Sequence, residues 1–313
     1  MTSNLIVIGT LAPWLRPLWV LAAGAVAAVA LLWALSRLLR LIVPKVAAIA
    51  GTTAKEGLTQ PLFYLLLAVG IFALLAFPFI PYNTFGEDVK VLKDEGMTLI
   101  MLLAIVLALW TASVSIAEEI EGRTALTVLS KPIGRRQFIV GKFLGILGPV
   151  AILFIVLGAV FLASVSYKVS YDARETSNPD PSWHDCAQEM EKTAPGLVLA
   201  FMETVVLTSI SVAISTRLPM LPNLIICASI YVLGHVVPML LNSAMRQFEI
   251  VAFVARLFST VLPVLDDFNV QAAISTGQKV PLVYLAWNGV YCVVYSSVAM
   301  LVALLLFEDR DLA

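Results

Sequence analysis

Residues 143–165 read FLGILGPVAILFIVLGAVFLASV, a run of 23 residues without a charged side chain. Crossing the hydrocarbon core of a bilayer, roughly 30 Å thick, takes about 20 apolar residues in a helix. A helix also satisfies its own backbone hydrogen bonds in lipid, which an open strand does not do. This run therefore predicts a transmembrane helix.

Six further runs share this length and composition, and one formal charge, Glu203, lies within the seven. The runs cover 18–36, 61–81, 97–117, 143–165, 195–216, 220–241 and 282–307. The chain of 313 residues is 60% hydrophobic and 13% charged, with a mean hydropathy of +0.94, whereas globular chains are about 45–50% apolar and about 25% charged. So few charges cannot build a water-facing surface. The sequence predicts an all-α, polytopic integral membrane protein with about seven transmembrane helices.

Charge and cysteine content exclude other classes of protein. The net charge of −1 gives no bias toward nucleic acid. The runs do not alternate apolar and polar residues as the strands of an outer-membrane barrel do. Of the three cysteines, Cys227 and Cys292 lie in apolar runs and Cys186 in a polar segment, so a disulfide framework is not expected.

Basic residues orient the chain, because they concentrate in cytoplasmic loops. The short segment 118–142 carries five basic residues, whereas 166–194 carries six acids against three bases. The first run is 19 residues long and is followed by Arg37 and Arg40, which is typical of an uncleaved anchor and not of a signal peptide. We expect the N-terminus outside, 118–142 and the C-terminus in the cytoplasm, and 166–194 as an outer loop.

Two segments between the runs are amphipathic or broken. Residues 38–60 place apolar side chains at helical spacing beside Lys45 and Lys55, which predicts a helix in the membrane interface or, alternatively, a solvated linker. Residues 244–280 include an apolar stretch interrupted by Arg256 and Pro263. That stretch favours an interfacial or re-entrant segment over a full span.

Residues 118–145, EEIEGRTALTVLSKPIGRRQFIVGKFLG, join two of the membrane runs. An acidic start, a short apolar stripe and a stop at Pro132 indicate a small helix that docks into a groove of another protein. A polar connector whose arginines snorkel to the lipid headgroups gives the same pattern.

This segment resembles the cytoplasmic loop of ABC-2-type transporter permeases, in which an acid, Gly/Thr and Leu precede a Ser/Lys-Pro-Ile/Val-x-Arg turn and Gly-Lys. Residues 44–60 followed by 61–81 are similar to that family's elbow helix and first helix, and FEDRDLA (307–313) is similar to its tail. The subgroup most resembled is that of multi-copper-enzyme maturation. The resemblance covers residues 44–313. The chain departs from the family in the additional helix within 1–43 and in Glu308-Asp309, where the family's tail usually has a basic residue.

The resemblance implies a permease domain over 44–313, preceded by an N-terminal anchor over 1–43. It implies six core helices, an elbow at 44–60, a coupling helix at 118–132 and a re-entrant segment at 244–280. The coupling helix would sit on a separate ATPase subunit and transmit its closure. The residues carried over to that contact and its exit are Glu119, Glu121, Gly122, Arg123, Thr124, Leu129, Pro132 and Arg135.

No G-x-x-x-x-G-K-[ST] phosphate loop is present in this sequence. The chain is therefore expected to be a non-enzymatic subunit without a cofactor or metal of its own, with ATP and Mg on the partner ATPase. The implied assembly is two permeases and two ATPases in a prokaryotic plasma membrane, surrounded by lipid. Export is the implied direction; the alternative is a mechanotransmitter that drives a protein outside the cytoplasm without forming a conduit.

Glu203 and His235 are candidate residues of a substrate pathway, because a charge within a membrane run usually faces a partner or a wet cavity. A protonated acid bonded to a neighbouring helix explains Glu203 equally. For His235, beside Gly234 and Pro238, relief of a helix irregularity is the favoured explanation. Residues 118–123 also fit E-E-x-x-x-R of intramembrane CAAX-type proteases, a remote alternative. Residues 184–189 hold His184, Asp185, Cys186 and Glu189, but neighbours in sequence rarely converge on one metal ion.

Overall fold

The computed structural model describes residues 12–80, 87–119, 134–175, 179, 181–242, 249–275 and 277–308. Within these ranges the chain is helical and contains no β-strand. Seven helices are long and apolar enough to cross a membrane, which confirms the predicted all-α, multi-pass membrane protein. The helices are α1 Leu18–Ile42, α2 Pro44–Thr59, α3 Pro61–Ala76, α4 Asp88–Ala112, α5 Arg135–Glu175, α6 Trp183–Ser215, α7 Met220–Asn242, α8 Glu249–Val261, α9 Gln271–Ser275 and α10 Leu282–Glu308.

The bundle has two polar ends. At the first, which we call the hairpin end, α4 ends, α5 begins and α10 ends; Arg135 Nη1 donates to the carbonyl oxygen of Glu308 at 2.8 Å. At the other, the opposite end, Lys168 Nζ lies 3.2 Å from Asp88 Oδ2 and 3.1 Å from Asp172 Oδ1. The apolar core lies between these two ends.

Helices α4, α5 and α6 form the centre of that core. Their inward side chains, such as Ile100, Leu153 and Val206, have no exposed surface. By contrast α1 buries none of its 25 residues, and Trp33 and Trp287 are exposed. In water such faces would be unstable, so they are expected to contact lipid.

Helix α2 packs lengthwise along the start of α5 at glycine positions. A Cβ added at Gly145 would lie 2.6 Å from Thr53 Cβ and 2.8 Å from the oxygen of Ala50. Pro44 occupies the first turn of α2, where its missing N–H costs nothing. The location of this helix in the membrane interface stays a prediction.

Of residues 166–194, predicted as an outer loop, 166–175 and 183–194 are helical. Helix α5 has 41 residues and α6 has 33, lengths of about 62 and 50 Å at 1.5 Å per residue. Both therefore project beyond a hydrocarbon core of about 30 Å. A capping box between Ser182 and Asp185 starts α6, and within this segment Lys168 pairs with Asp172, one of its six acids.

Helix α8 has 13 residues, about 20 Å of helix, which is too short to cross the bilayer. After Pro263 the chain returns to α7, where Leu265 N donates to the oxygen of Gly234 at 3.3 Å. It then forms a short 3₁₀ turn, Asp266–Phe268, and α9. The re-entrant path of this segment relative to the membrane stays a prediction.

Candidate functional site

Lys142 connects the two stretches of the chain that flank the predicted coupling segment. Its Nζ donates to Glu119 Oε1 at 2.5 Å and lies 4.0 Å from Glu56 Oε2, with 6% of the side chain exposed. The lysine thus joins α2, α5 and Glu119, the residue after the π-helical turn Ser113–Glu118 that continues α4. A charge this deeply buried needs such partners, because removing one leaves the other uncompensated.

Arg135 fixes the start of α5 to the end of α10. Besides its bond to Glu308, its guanidinium lies 6.0 Å from the centre of the Phe307 ring. Phe138 and Phe307, which have no exposed surface, stack with centroids 5.8 Å apart. A displacement at residue 135 would consequently reach α10 through packed side chains.

Of the residues predicted to contact an ATPase, Glu119 and Arg135 lie within the described ranges. Glu121, Gly122, Arg123, Thr124, Leu129 and Pro132 lie outside them. The described residues on either side converge at the hairpin end, so both ends of the intervening segment are fixed on the bundle.

A π-helical turn, Ser113–Glu118, lies just before the hairpin. Insertions of this kind in α-helices are frequent at functional sites. Beside the turn, Asn223 Nδ2 lies 2.9 Å from Ser113 Oγ, 2.8 Å from Ser211 Oγ and 3.0 Å from Ser215 Oγ. The amide therefore links the π-helical turn, α6 and α7 in a buried part of the bundle.

Glu203 and His235, predicted independently, meet in one interior cavity. The cavity has a volume of about 140 Å³ and is bounded by α4, α6, α7 and residues 268–271. Glu203 Oε1 lies 3.5 Å from His235 Nε2; 2% of the glutamate side chain and 22% of the histidine side chain are exposed. The structure thus brings both candidate pathway residues to the same site.

Some polar atoms of this cavity have hydrogen-bond partners and others do not. His235 Nδ1 lies 3.0 Å from the oxygen of Tyr231, whereas Glu203 Oε1 is buried and accepts no hydrogen bond. At the edge of the cavity, Gln271 Nε2 donates to Thr98 Oγ1 at 2.8 Å. Outside the membrane spans, desolvation and then the charge of Asp266 raise the pKa of Asp267.

The alternative enzymatic and metal sites gain no support from the described residues. Glu119 lies at the hairpin end, whereas His235 lies level with Thr98, about 30 Å away along α4. His184 stacks on Trp183, Asp185 caps α6 and Glu189 pairs with Lys93. These side chains do not converge on one point.

Sequence reasoning missed three groups of polar residues. The Glu56 and Asn223 contacts depend on packing between helices distant in sequence, and no local pattern indicates them. Asp88, Asp172 and Glu175 place one oxygen each within 4.8 Å of one another. Lys168 already neutralises two of these acids.

Comparison with known protein families identifies a match. A family model described as "ABC-2 family transporter protein" matches residues 32–312, a range that begins within α1 and includes every later helix. None of the curated proteins compared with the chain matches it.

Proposed function

Because this chain belongs to the ABC-2 transporter family, we propose that it is a permease subunit driven by a separate ATPase through residues 118–132. The observation that carries the proposal is the buried Lys142, which joins α2, α5 and Glu119 at the base of that segment. A force applied between residues 119 and 135 would move α4 and α5 directly. Those two helices belong to the core, so the movement would reach α6 and the interior cavity.

The partner is an ABC ATPase subunit that supplies ATP and Mg. Glu119, Glu121, Gly122, Arg123, Thr124 and Leu129 contact it, while Pro132 and Arg135 shape the return of the chain. The family resemblance supports this assignment of residues. It also supports two permease copies with two ATPases, export as the direction, and the plasma membrane of a prokaryote as the location.

The test is loss of ATPase binding after charge reversal in the hairpin. Glu121→Lys combined with Arg123→Glu is expected to abolish co-purification of the partner ATPase, with membrane insertion unchanged. Glu191→Lys is the matched control, since Glu191 is an exposed acid on α6 near the opposite end. Unchanged co-purification of the double variant would contradict docking through this segment.

A second candidate function, a mechanotransmitter, is favoured by the projecting opposite end. Lys93 is 1% exposed and pairs with Glu189, and Lys168 is 1% exposed between Asp88 and Asp172. These pairs tie α4, α5 and α6 together beyond the apolar spans. A rigid projection of this kind could transmit force to a protein outside the cytoplasm. Uptake of a labelled substrate into inverted vesicles, dependent on ATP, would favour the transporter; ATP turnover without uptake would favour the mechanotransmitter.

A further inference from the structure

The cavity that contains Glu203 and His235 is surrounded by uncharged side chains. Of the residues that line it, all of them within the described ranges, none is lysine or arginine. Glu203 is 2% exposed, and its Oε1 accepts no hydrogen bond. An isolated carboxylate in such a site is strongly unfavourable unless a positive charge accompanies it.

When the His235 ring is neutral, it presents a hydrogen-bond acceptor to the Glu203 carboxylate. Its Nδ1 lies 3.0 Å from the carbonyl oxygen of Tyr231, and a carbonyl can only accept, so Nδ1 carries the proton. In the neutral ring the remaining nitrogen, Nε2, then bears the lone pair. Two acceptors, Glu203 Oε1 and His235 Nε2, therefore face each other at 3.5 Å.

Two acceptors at that separation repel each other unless a proton or another cation is shared between them or bound to one of them. The other groups around the pair reinforce this preference. Helix α4 contributes Met97, Thr98 and Met101, which do not titrate, while Tyr231 offers an aromatic ring from α7. The charge of Asp266 acts on Glu203 from the neighbouring segment, and Phe268 adds a second ring, which favours a cation.

We propose that Glu203 and His235 form a binding site for one positive charge, held as a proton and exchanged for the ammonium group of a small ligand. On exchange the ammonium nitrogen keeps its own protons and donates to Oε1 and Nε2. The displaced proton passes to water, so the charge in the cavity is unchanged. The inference rests on the proposed permease function, because it gives that permease a class of ligand.

The test uses the full chain alone, purified in lipid nanodiscs, with methylammonium as the probe. The chain has two histidines, so ¹⁵N labelling of histidine gives a His235 signal that a His184→Gln variant assigns. We expect a saturable shift of that signal with methylammonium. We also expect release of about one proton per cation bound, measured with a pH indicator in weak buffer.

Glu203→Gln keeps the shape of the side chain and removes its charge. It is expected to weaken methylammonium binding by roughly thirtyfold or more and to abolish proton release, whereas Glu191→Gln on the same helix leaves both unchanged. His235→Gln, measured by proton release, gives a second variant should Glu203→Gln fail to fold. Tetramethylammonium, which has no N–H donor, should not compete.

Three results would overturn the proposal: no saturable shift in the wild-type chain, equal binding by the Glu203→Gln and wild-type chains, or full competition by tetramethylammonium. Since no ATPase is present, none of these results bears on docking at the hairpin. Conversely, failure of the charge-reversal experiment on residues 121 and 123 leaves this measurement intact. The two proposals can thus fail separately.

Discussion

At the scale of single residues, two buried ionisable side chains differ in how their charge is compensated. Lys142 is 6% exposed and has Glu119 within 2.5 Å, so its charge is compensated by a fixed partner. Glu203 is 2% exposed and faces His235 at 3.5 Å, and its Oε1 accepts no hydrogen bond from any described residue. A compensated charge stabilises one arrangement of helices, whereas an uncompensated one favours exchange of a ligand or proton.

Replacing Lys142 by methionine tests the first of these roles. The change keeps the apolar stem and leaves Glu119 without the ammonium group. We expect a loss of about 1–3 kcal/mol in stability, less than the 3–5 kcal/mol typical of fully buried pairs, because Glu119 is 26% exposed. Thermal unfolding in detergent measures the loss, and ATPase stimulation by the permease is expected to fall with it.

The control for Lys142→Met is Lys55→Met, which removes an exposed lysine from α2. It should leave both stability and ATPase stimulation near the wild-type values. Equal behaviour of the two variants would show that Lys142 does not hold the base of the hairpin.

At the scale of elements, contact between α2 and α5 depends on the absence of side chains. Gly141 and Gly145 lie one helical turn apart on α5, and added Cβ atoms would lie 2.7 Å from Ile49 Cβ and 2.6 Å from Thr53 Cβ. Membrane helices associate through such close approaches, since lipid supplies little hydrophobic driving force between them. The elbow helix predicted over 44–60 is thereby held on the first half of α5.

Gly145→Ala is expected to separate α2 from α5. The new methyl group would meet the backbone oxygen of Ala50 at 2.8 Å, which cannot rotate away, so a cost of about 1–3 kcal/mol is expected from overpacking. Thermal unfolding of the purified variant provides the measurement.

Gly51→Ala, at a position on α2 with nothing within 4 Å of the added Cβ, is the matched control. It should be neutral or stabilising by up to about 1 kcal/mol, because alanine favours helix more than glycine does. A Gly145→Ala variant as stable as Gly51→Ala would refute the close packing described above.

At the scale of the whole molecule, the seven apolar helices separate two polar ends, which are expected to lie on opposite sides of a bilayer. The hairpin end carries Lys142, Arg135 and Arg136, while the opposite end carries the paired acids Asp88 and Asp172. The excess of basic residues in 118–142 predicts that the hairpin end faces the cytoplasm. Contact with an ATPase requires this orientation.

Cysteine labelling measures the orientation directly, because Cys186, Cys227 and Cys292 are all buried and give little background. We introduce one exposed cysteine at a time, as His184→Cys or Lys55→Cys. A membrane-impermeant maleimide should label the first in intact spheroplasts and the second only after permeabilisation. The reverse pattern would place the hairpin outside and end the proposal of ATPase coupling.

Much of the fold is predictable from local composition, and much of the site is not. The apolar run 143–165 is enough to place a membrane helix, but it does not reveal that α5 continues to Glu175. In that extension Lys168 pairs with Asp88, 80 positions earlier in the chain, and no local pattern indicates this contact. Likewise Glu203 is recognisable as a charge in a membrane run, whereas its pairing with His235 requires α6 and α7 to pack together.

The sequence by itself determined that the chain crosses a membrane with about seven helices, which end carries the basic residues, and which segment resembles a coupling loop. These properties follow from hydrophobicity and motif spacing within single segments, and lipid enforces them locally. Only the tertiary structure decided that Lys142 joins three elements, that Asn223 links three helices, and that Glu203 faces His235 in one cavity. Such contacts join residues far apart in the chain, and the geometry of helix packing, which composition does not encode locally, selects them.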